Sequence, residues 1–335
     1  MRTVSHHILL LIAVLLLLPV AAAAELSVTF FDVGQGEAAL IQADGKNMLI
    51  DAGPDEKADD LLSYLGDLGV KRLDLLLGTN PQEEHIGGMD EVLARYEVDT
   101  LWMPNTPAQI TGTLLAAIQE EGLESVAPKP GTTYDLGDAL ITILSPASQT
   151  YENLNDYSIV LRVDYGDTSY LFTGDAGELA EREMLQNGLD VDADVLKVGN
   201  HGNSGSSSQA FVDAVSPTWA VYSCGKGNTN SSPDAGILTR LRGAGSSILG
   251  TDADGTVTFL SDGKTIELRK GIVGVSAAAA PSFGSKDPSY IGNKNSKAFH
   301  LPTCHTLPAQ KNQVYFETRD EAISQGYKPC KKCKP

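Results

Sequence analysis

From Leu26 to Ala52 apolar and polar residues alternate in two short runs, Ser27 to Asp32 and Ala38 to Ile41, joined by Gly34-Gln35-Gly36. A third run, Asn47 to Ile50, ends in Asp51-Ala52-Gly53-Pro54. A period of two broken by glycine turns predicts antiparallel strands. The period then changes: Leu61, Leu62, Leu65 and Leu68 predict a helix over 57–68, and Leu73 to Leu77 reads as a short buried strand. Further strands are expected at Thr100 to Met103, Ala139 to Leu144, Ser158 to Asp164, Ser169 to Thr173, Val195 to Val198, Trp219 to Ser223 and Thr256 to Leu260. Helices are expected at Ala176 to Gln186 and Ser207 to Val215. Strands and helices mixed in this number predict an α/β fold of two sheets with helices packed outside. No internal repeat is visible. The stretch 271–288, with Ala277 to Ala280, Pro281, Ser282 and three glycines, offers little to bury and reads as a linker.

The first 24 residues change the picture of where the chain works. Arg2 and His6-His7 precede an apolar run from Ile8 to Val20 and the small residues Ala21 to Ala24. This order matches a secretory signal better than a spanning helix, so the mature chain is expected to begin at Glu25 and to be extracytoplasmic. No later apolar run is long enough to span a bilayer. Charge divides the remainder. The net charge is −18; Arg2 adds one positive charge and residues 289–335 carry eight Lys/Arg against three Asp/Glu, which leaves −24 on residues 25–288. So acidic a body repels phosphate backbones, which argues against general nucleic-acid binding there.

Phe30-Phe31-Asp32-Val33-Gly34-Gln35-Gly36-Glu37-Ala38 and Leu49-Ile50-Asp51-Ala52-Gly53 open a series of ordered motifs. It continues through Thr79 to Gly88, Asn155 to Asp175, Lys197 to Ser208 and Asn228 to Pro233. The series resembles the metallo-β-lactamase-like domain of the ComEC competence family, over residues 26 to about 262. The resemblance implies an αββα sandwich with its site along one edge, and a metal-dependent hydrolase acting on a phosphodiester or ester. In that family a His-x-(His or Asp)-x-Asp-His cluster followed by Gly-Gly points several ligands at a metal pair. The matching residues here keep only His85: Asn80 stands at a histidine, Gln82 at a second ligand and Glu84 at the aspartate. Asp175 matches the aspartate that bridges two metals, and His201 survives from a His-His-Gly-Ser turn whose first histidine is Asn200. Ser232 stands where relatives carry the histidine of Tyr-Gly-His-Pro. Amide oxygens are weak ligands for zinc. The remaining set, His85, Asp175, Glu84 and His201, suits a single divalent metal in the main domain and is a poor basis for two.

Two other readings concern the same region. Gly202 to Ser208 precedes a helix and offers backbone N–H groups and hydroxyls of the kind that hold an anion, or simply a loop and a helix cap. Ser204, His201 and Asp175 supply the residue types of a nucleophilic triad. Asp32 and Asp51, at strand ends, read as residues that orient neighbouring loops.

The tail, 289–335, differs in kind. His300-Leu301-Pro302-Thr303-Cys304 and Cys330-Lys331-Lys332-Cys333 supply a His-x-x-x-Cys pair and a Cys-x-x-Cys knuckle, the spacing of a tetrahedral zinc site. So short a segment buries little core, and a metal would supply its folding energy. The segment also resembles the Ada-type metal-binding domain, which implies a structural Zn2+ held by His300, Cys304, Cys330 and Cys333, with His305 as an alternate ligand. The competing reading is a disulfide, which export permits. Lys294, Lys297, Lys311, Lys328, Lys331, Lys332 and Lys334 make the tail the expected contact for DNA or an anionic polymer. The sequence therefore divides into a signal (1–24), a metallo-β-lactamase-like domain (25–270), a linker (271–288) and a small zinc-stabilised C-terminal domain (289–335). It leaves open a hydrolase with a reduced metal site against a non-catalytic binding protein.

Overall fold

The computed structural model describes residues 25–108, 110–228, 232–272, 290–302, 304, 306–308, 312–316 and 319–335. The expected signal segment, most of the expected linker, His305 and Lys311 lie outside them. Among the described residues no helix is long and apolar enough to cross a membrane.

Two sheets pack face to face. The first has eight strands in the order Ile266–Lys270, Val257–Ser261, Leu26–Phe30, Ala39–Ala43, Lys46–Ile50, Leu75–Leu77, Leu101–Trp102 and Ser125–Val126. The second has seven, in the order Ser247–Gly250, Trp219–Tyr222, Val195–Lys197, Thr168–Phe172, Val160–Tyr165, Ala139–Ser145 and Thr133–Leu136. The alternation in the opening strand sends Leu26, Val28 and Phe30 into the space between the sheets, where they meet Ile141, Ile143, Leu161 and Phe172. Phe30 stacks on Phe172 with ring centroids 5.5 Å apart. The outer face of the first sheet is covered by helices Ala58–Asp67, Met89–Arg95 and Gly112–Glu121. The second is covered by Glu178–Gln186, Gln209–Val215 and Ala235–Gly243. The result is the expected αββα sandwich.

The tail forms a separate four-stranded sheet, Gln313–Phe316, Tyr290–Asn293, Ala298–His300 and Lys328–Pro329, with helix Arg319–Ser324. Its core is Phe299, Phe316, Ala322 and Tyr327.

Leu73 to Leu77, read as one strand, is two. Arg72–Leu73 pairs with Glu97–Val98 in a small sheet of its own, while Leu75–Leu77 joins the main one. The break falls at Asp74, whose carboxylate accepts the Asn47 N–H at 2.9 Å and turns the chain there. Helices Gly112–Glu121 and Ala235–Gly243 were not anticipated, although each has a side-chain cap: Thr111 Oγ1 accepts the Leu114 N–H, and Asp234 Oδ1 accepts from Gly236 and Ile237.

Parallel pairing sets where chemistry can gather. Lys46–Ile50 runs parallel to Leu75–Leu77, and Thr168–Phe172, Val195–Lys197 and Trp219–Tyr222 run parallel to one another. Their C-terminal ends, and the loops at Asp51, 78–88, 173–177, 198–208 and 223–228, therefore converge on one edge of the sandwich.

Candidate metal centre

At that edge His85 Nε2, Asp175 and His201 Nε2 come together, each buried, with ligand atoms within 4.8 Å of one another. His85 sits in the short helix Glu83–Ile86 that follows the Leu75–Leu77 strand. Asp175 follows Thr168–Phe172. His201 lies in the turn after Val195–Lys197, where both Asn200 (φ 49°) and His201 (φ 53°) adopt left-handed backbone. Two such non-glycine residues in succession are costly, and this turn aims the His201 ring at the site. Gly174, at φ 48°, lets the Asp175 loop close on Thr79; a Cβ there would lie 2.8 Å from Thr79 Oγ1.

The ring nitrogens facing away are each fixed. His85 Nδ1–H donates to Asp51 Oδ2 at 2.8 Å, and His201 Nδ1–H donates to the Ser223 carbonyl at 2.9 Å. Both Nε2 atoms consequently point inward, 3.3 Å and 3.6 Å from the Asp175 carboxylate. His85 Nε2, His201 Nε2 and Asp175 Oδ1 have no hydrogen-bond partner. Two imidazoles anchored at Nδ1 and a carboxylate form a mixed nitrogen and oxygen donor set that fits one divalent transition-metal ion such as zinc or manganese.

Charge in the ion-free site is strongly coupled. Burial opposes protonation of His85, but the Asp175 and Asp51 carboxylates override it and hold its pKa well above 6.5. Burial would raise Asp175; His85, and then His201, hold it well below the ordinary value of 3.8. Asp51 is raised by burial, partly offset by His85. Its carboxylate also accepts the Thr79 N–H at 2.6 Å and the Thr79 hydroxyl at 2.7 Å, so it orients the 79–85 loop.

Glu84 stands outside the three-residue group. It is half-buried, and its carboxylate accepts from the Gln82 amide at 3.4 Å. Asn80 is buried, donates to Ser158 Oγ at 3.0 Å and accepts the Gln82 N–H at 3.1 Å. Ser158 Oγ in turn accepts the Asp175 N–H at 3.2 Å. The Asn200 N–H donates to the Gly174 carbonyl at 2.9 Å, and Ser232 Oγ donates to Asn203 Oδ1 at 2.6 Å.

Two donors of the anion cradle read in 202–208 are already taken. The Glu181 carboxylate accepts the N–H groups of Ser207 and Ser208, and Ser208 Oγ caps Phe211. The nucleophilic triad is not assembled either, since Ser204 is exposed and His201 spends its second nitrogen on Ser223. Sequence reasoning missed the fully buried ion pair of Lys197 and Glu37 beside the site, 2.7 Å apart. The signal was a lysine inside the apolar run Val195 to Val198.

In the tail, His300, Cys304, Cys330 and Cys333 bring one nitrogen and three sulfurs within 4.8 Å of one another. All four cysteines of the chain are free thiols, so the alternative disulfide is not formed. N–H donation from Cys333, outweighing burial, lowers the Cys330 thiol to about 7, which favours the thiolate a metal needs. Cys224 is instead buried far from water and pushed up to about 12.

Residues 31–226 match the metallo-beta-lactamase superfamily model, and the chain belongs to that superfamily. Residues 283–335 match the metal binding domain of Ada. Similar curated proteins include ComE operon protein 3 of Bacillus subtilis (strain 168), 30% identical over 257 residues, covering 71% of this chain and 33% of the relative. Competence protein ComA of Neisseria gonorrhoeae is 30% identical over 237 residues, covering 70% of this chain and 32% of its own length. Recombination protein 2 of Haemophilus influenzae is 30% identical over 237 residues, with 69% and 28% covered. The chain thus spans about a third of the length of the curated relatives it matches. Among solved structures, the metallo-beta-lactamase fold protein YhfI of Bacillus subtilis aligns with a TM-score of 0.47 at 10% identity, over 73% of this chain and all of that one.

Proposed function

We propose that this chain is an exported, ComEC-type hydrolase whose body, residues 25–270, holds a single divalent cation on His85, Asp175 and His201 and acts on a phosphodiester or ester. Beyond a linker at 271–288, the tail, residues 289–335, is a structural zinc module. The observation that carries the first proposal is the convergence of three buried atoms without hydrogen-bond partners, two of them on imidazoles anchored at Nδ1. A divalent ion held there would supply Lewis acidity and lower the pKa of a water molecule. The residues supply the rest. Asp51 and the Ser223 carbonyl fix the tautomers, and Ser158 holds the Asp175 backbone. Asn80, Gln82 and Ser232 through their side chains, and Asn200 through its backbone N–H, support the loops in place of further ligands.

The test is metal content of the full mature chain by elemental mass spectrometry, with hydrolysis of bis(p-nitrophenyl) phosphate and p-nitrophenyl acetate. Two ions per chain are expected, one of them lost together with hydrolysis in Asp175→Ala. A single ion that disappears only with Cys333→Ser would reject the body site. That outcome would favour the second reading, a non-catalytic binding protein whose tail contacts DNA or an anionic polymer. Exposed Lys328, Lys331, Lys332 and Lys334, and similarity to competence proteins, support that reading.

A further inference from the structure

Lys197 and Glu37 are each 0 % exposed, which is exceptional for charged side chains. The Lys197 ammonium donates to Glu37 Oε2 at 2.7 Å and to the Val198 carbonyl at 3.0 Å. The second Glu37 oxygen, Oε1, has no hydrogen-bond partner. Glu37, Asp51 and His85 offer atoms within 4.8 Å of one another, and His85 links them to Asp175 and His201. Glu37 also touches the chain on either side of the ligand loops: its N–H donates to the Glu84 carbonyl and its own carbonyl accepts the Gly53 N–H. Two further buried carboxylates lie apart from this group: Glu181, which accepts the N–H groups of Ser207 and Ser208, and Asp156, beside Gly177 at the start of helix Glu178–Gln186.

A sealed group of charges is stable only near neutrality. With both histidines neutral, as ligation requires, Glu37, Asp51 and Asp175 carry three negative charges and Lys197 one positive. One divalent ion closes that balance; two would leave the pocket with a surplus of two positive charges. Resting on the one-ion reading above, we infer that Lys197 is the internal counter-cation of this site, filling the place beside Glu37 that a second divalent ion would take, so that the pocket accepts one ion and not two. Lys197 and Glu37 are therefore positioning residues, acting on the ion through the charge they bring to the pocket.

The test is Mn2+ titration of the full mature chain, its tail preloaded with zinc, with binding counted from the loss of the free-ion EPR signal. Folding is checked by circular dichroism. The unsubstituted chain binds one Mn2+. Glu37→Gln removes a negative charge and weakens that ion by about 10- to 100-fold, the range seen when outer-shell partners are lost. Lys197→Met binds at least as tightly as the parent chain and admits a second ion. Lys197→Met/Glu37→Gln returns to one ion at close to the parent affinity, and it keeps the test decisive should Lys197→Met not fold. Equal weakening in both single variants, with no recovery in the double, would overturn the inference while leaving the one-ion site intact. No Mn2+ bound by the unsubstituted chain would overturn the one-ion reading and this inference with it.

Discussion

Asp51→Asn is the sharpest probe of how the site is held. Asp51 has φ 58°, a conformation asparagine adopts as readily as aspartate, so the backbone need not move. The carboxylate is buried and acceptor-only, taking the Thr79 N–H, the Thr79 hydroxyl and His85 Nδ1–H. An amide keeps one acceptor and gains two donors. If its NH2 faces His85, two donors meet, the imidazole moves its proton to Nε2, and the nitrogen aimed at the metal position can no longer ligate. If instead it faces the Thr79 amide, that N–H is buried without a partner. Hydrogen bonds to a charged group contribute about 1.5–3 kcal/mol each, so losing one or weakening two costs about 2–4 kcal/mol. For a unit of this size each kcal/mol moves the thermal midpoint by roughly 2–4 °C. Metal affinity falls by about 10- to 100-fold, since the partner that fixes the ligand tautomer is gone. Thermal melts followed by circular dichroism, with and without Mn2+, read both effects. A variant that melts with the parent chain and keeps its Mn2+ affinity would refute the role given to Asp51.

In the metal-stripped chain, the stabilisation contributed by the His85 and Asp175 pair should peak between about pH 4 and 6.5. The raised His85 value contributes fully below 6.5 and is lost as pH rises through its folded value, while the lowered Asp175 value contributes above 3.8 and is lost as pH falls toward its own. Melting midpoints across pH at constant ionic strength check this, and the acid limb should flatten in Asp175→Asn. Glu181→Ala strands the N–H groups of Ser207 and Ser208 and should cost roughly 2–4 kcal/mol in chemical denaturation, because each orphaned buried donor costs about 1–3 kcal/mol. Cys333→Ser should release the tail zinc and abolish protection of the Phe299 and Phe316 amides in hydrogen exchange while leaving the strand amides of the sandwich protected.

The sandwich was legible because its central strands alternate cleanly. Leu26, Val28 and Phe30 face one way, glycine turns separate the runs, and pairing then follows from adjacency. Two-residue strands such as Glu97–Val98 and Ser125–Val126 are too short to show a period, and Asp74 breaks a run that is apolar on both sides. At the site, motif order showed which residues share one edge, but not their wiring. Lys197 and Glu37 lie 160 positions apart and become partners only when the sheets close. Glu181 lies inside a helix rich in polar residues, yet it turns inward to accept the N–H groups of Ser207 and Ser208. In both cases the deciding contact is a long-range electrostatic pairing, which no local pattern encodes.

The same contacts bear on whether the site is merely a remnant. A buried polar atom left unpaired is a standing cost, and folded proteins keep few of them. Once an ion is no longer bound, nothing favours leaving ligand atoms unpaired, and substitutions that satisfy or remove them become stabilising. Of the replaced positions, Gln82 Oε1 is left without a partner, while Asn80 and Ser232 are satisfied in this way by side-chain bonds to neighbouring loop groups. His85 Nε2, His201 Nε2 and Asp175 Oδ1 are not. Single unpaired atoms such as Ser27 Oγ and Tyr170 Oη occur elsewhere in the interior, but here three lie in one ligand group, two of them on rings fixed from behind and one ring carried on a strained turn. This concentration on one ligand group, with Gln82 Oε1 and Glu37 Oε1 nearby also unpaired, is what supports the proposed single-ion site over a remnant.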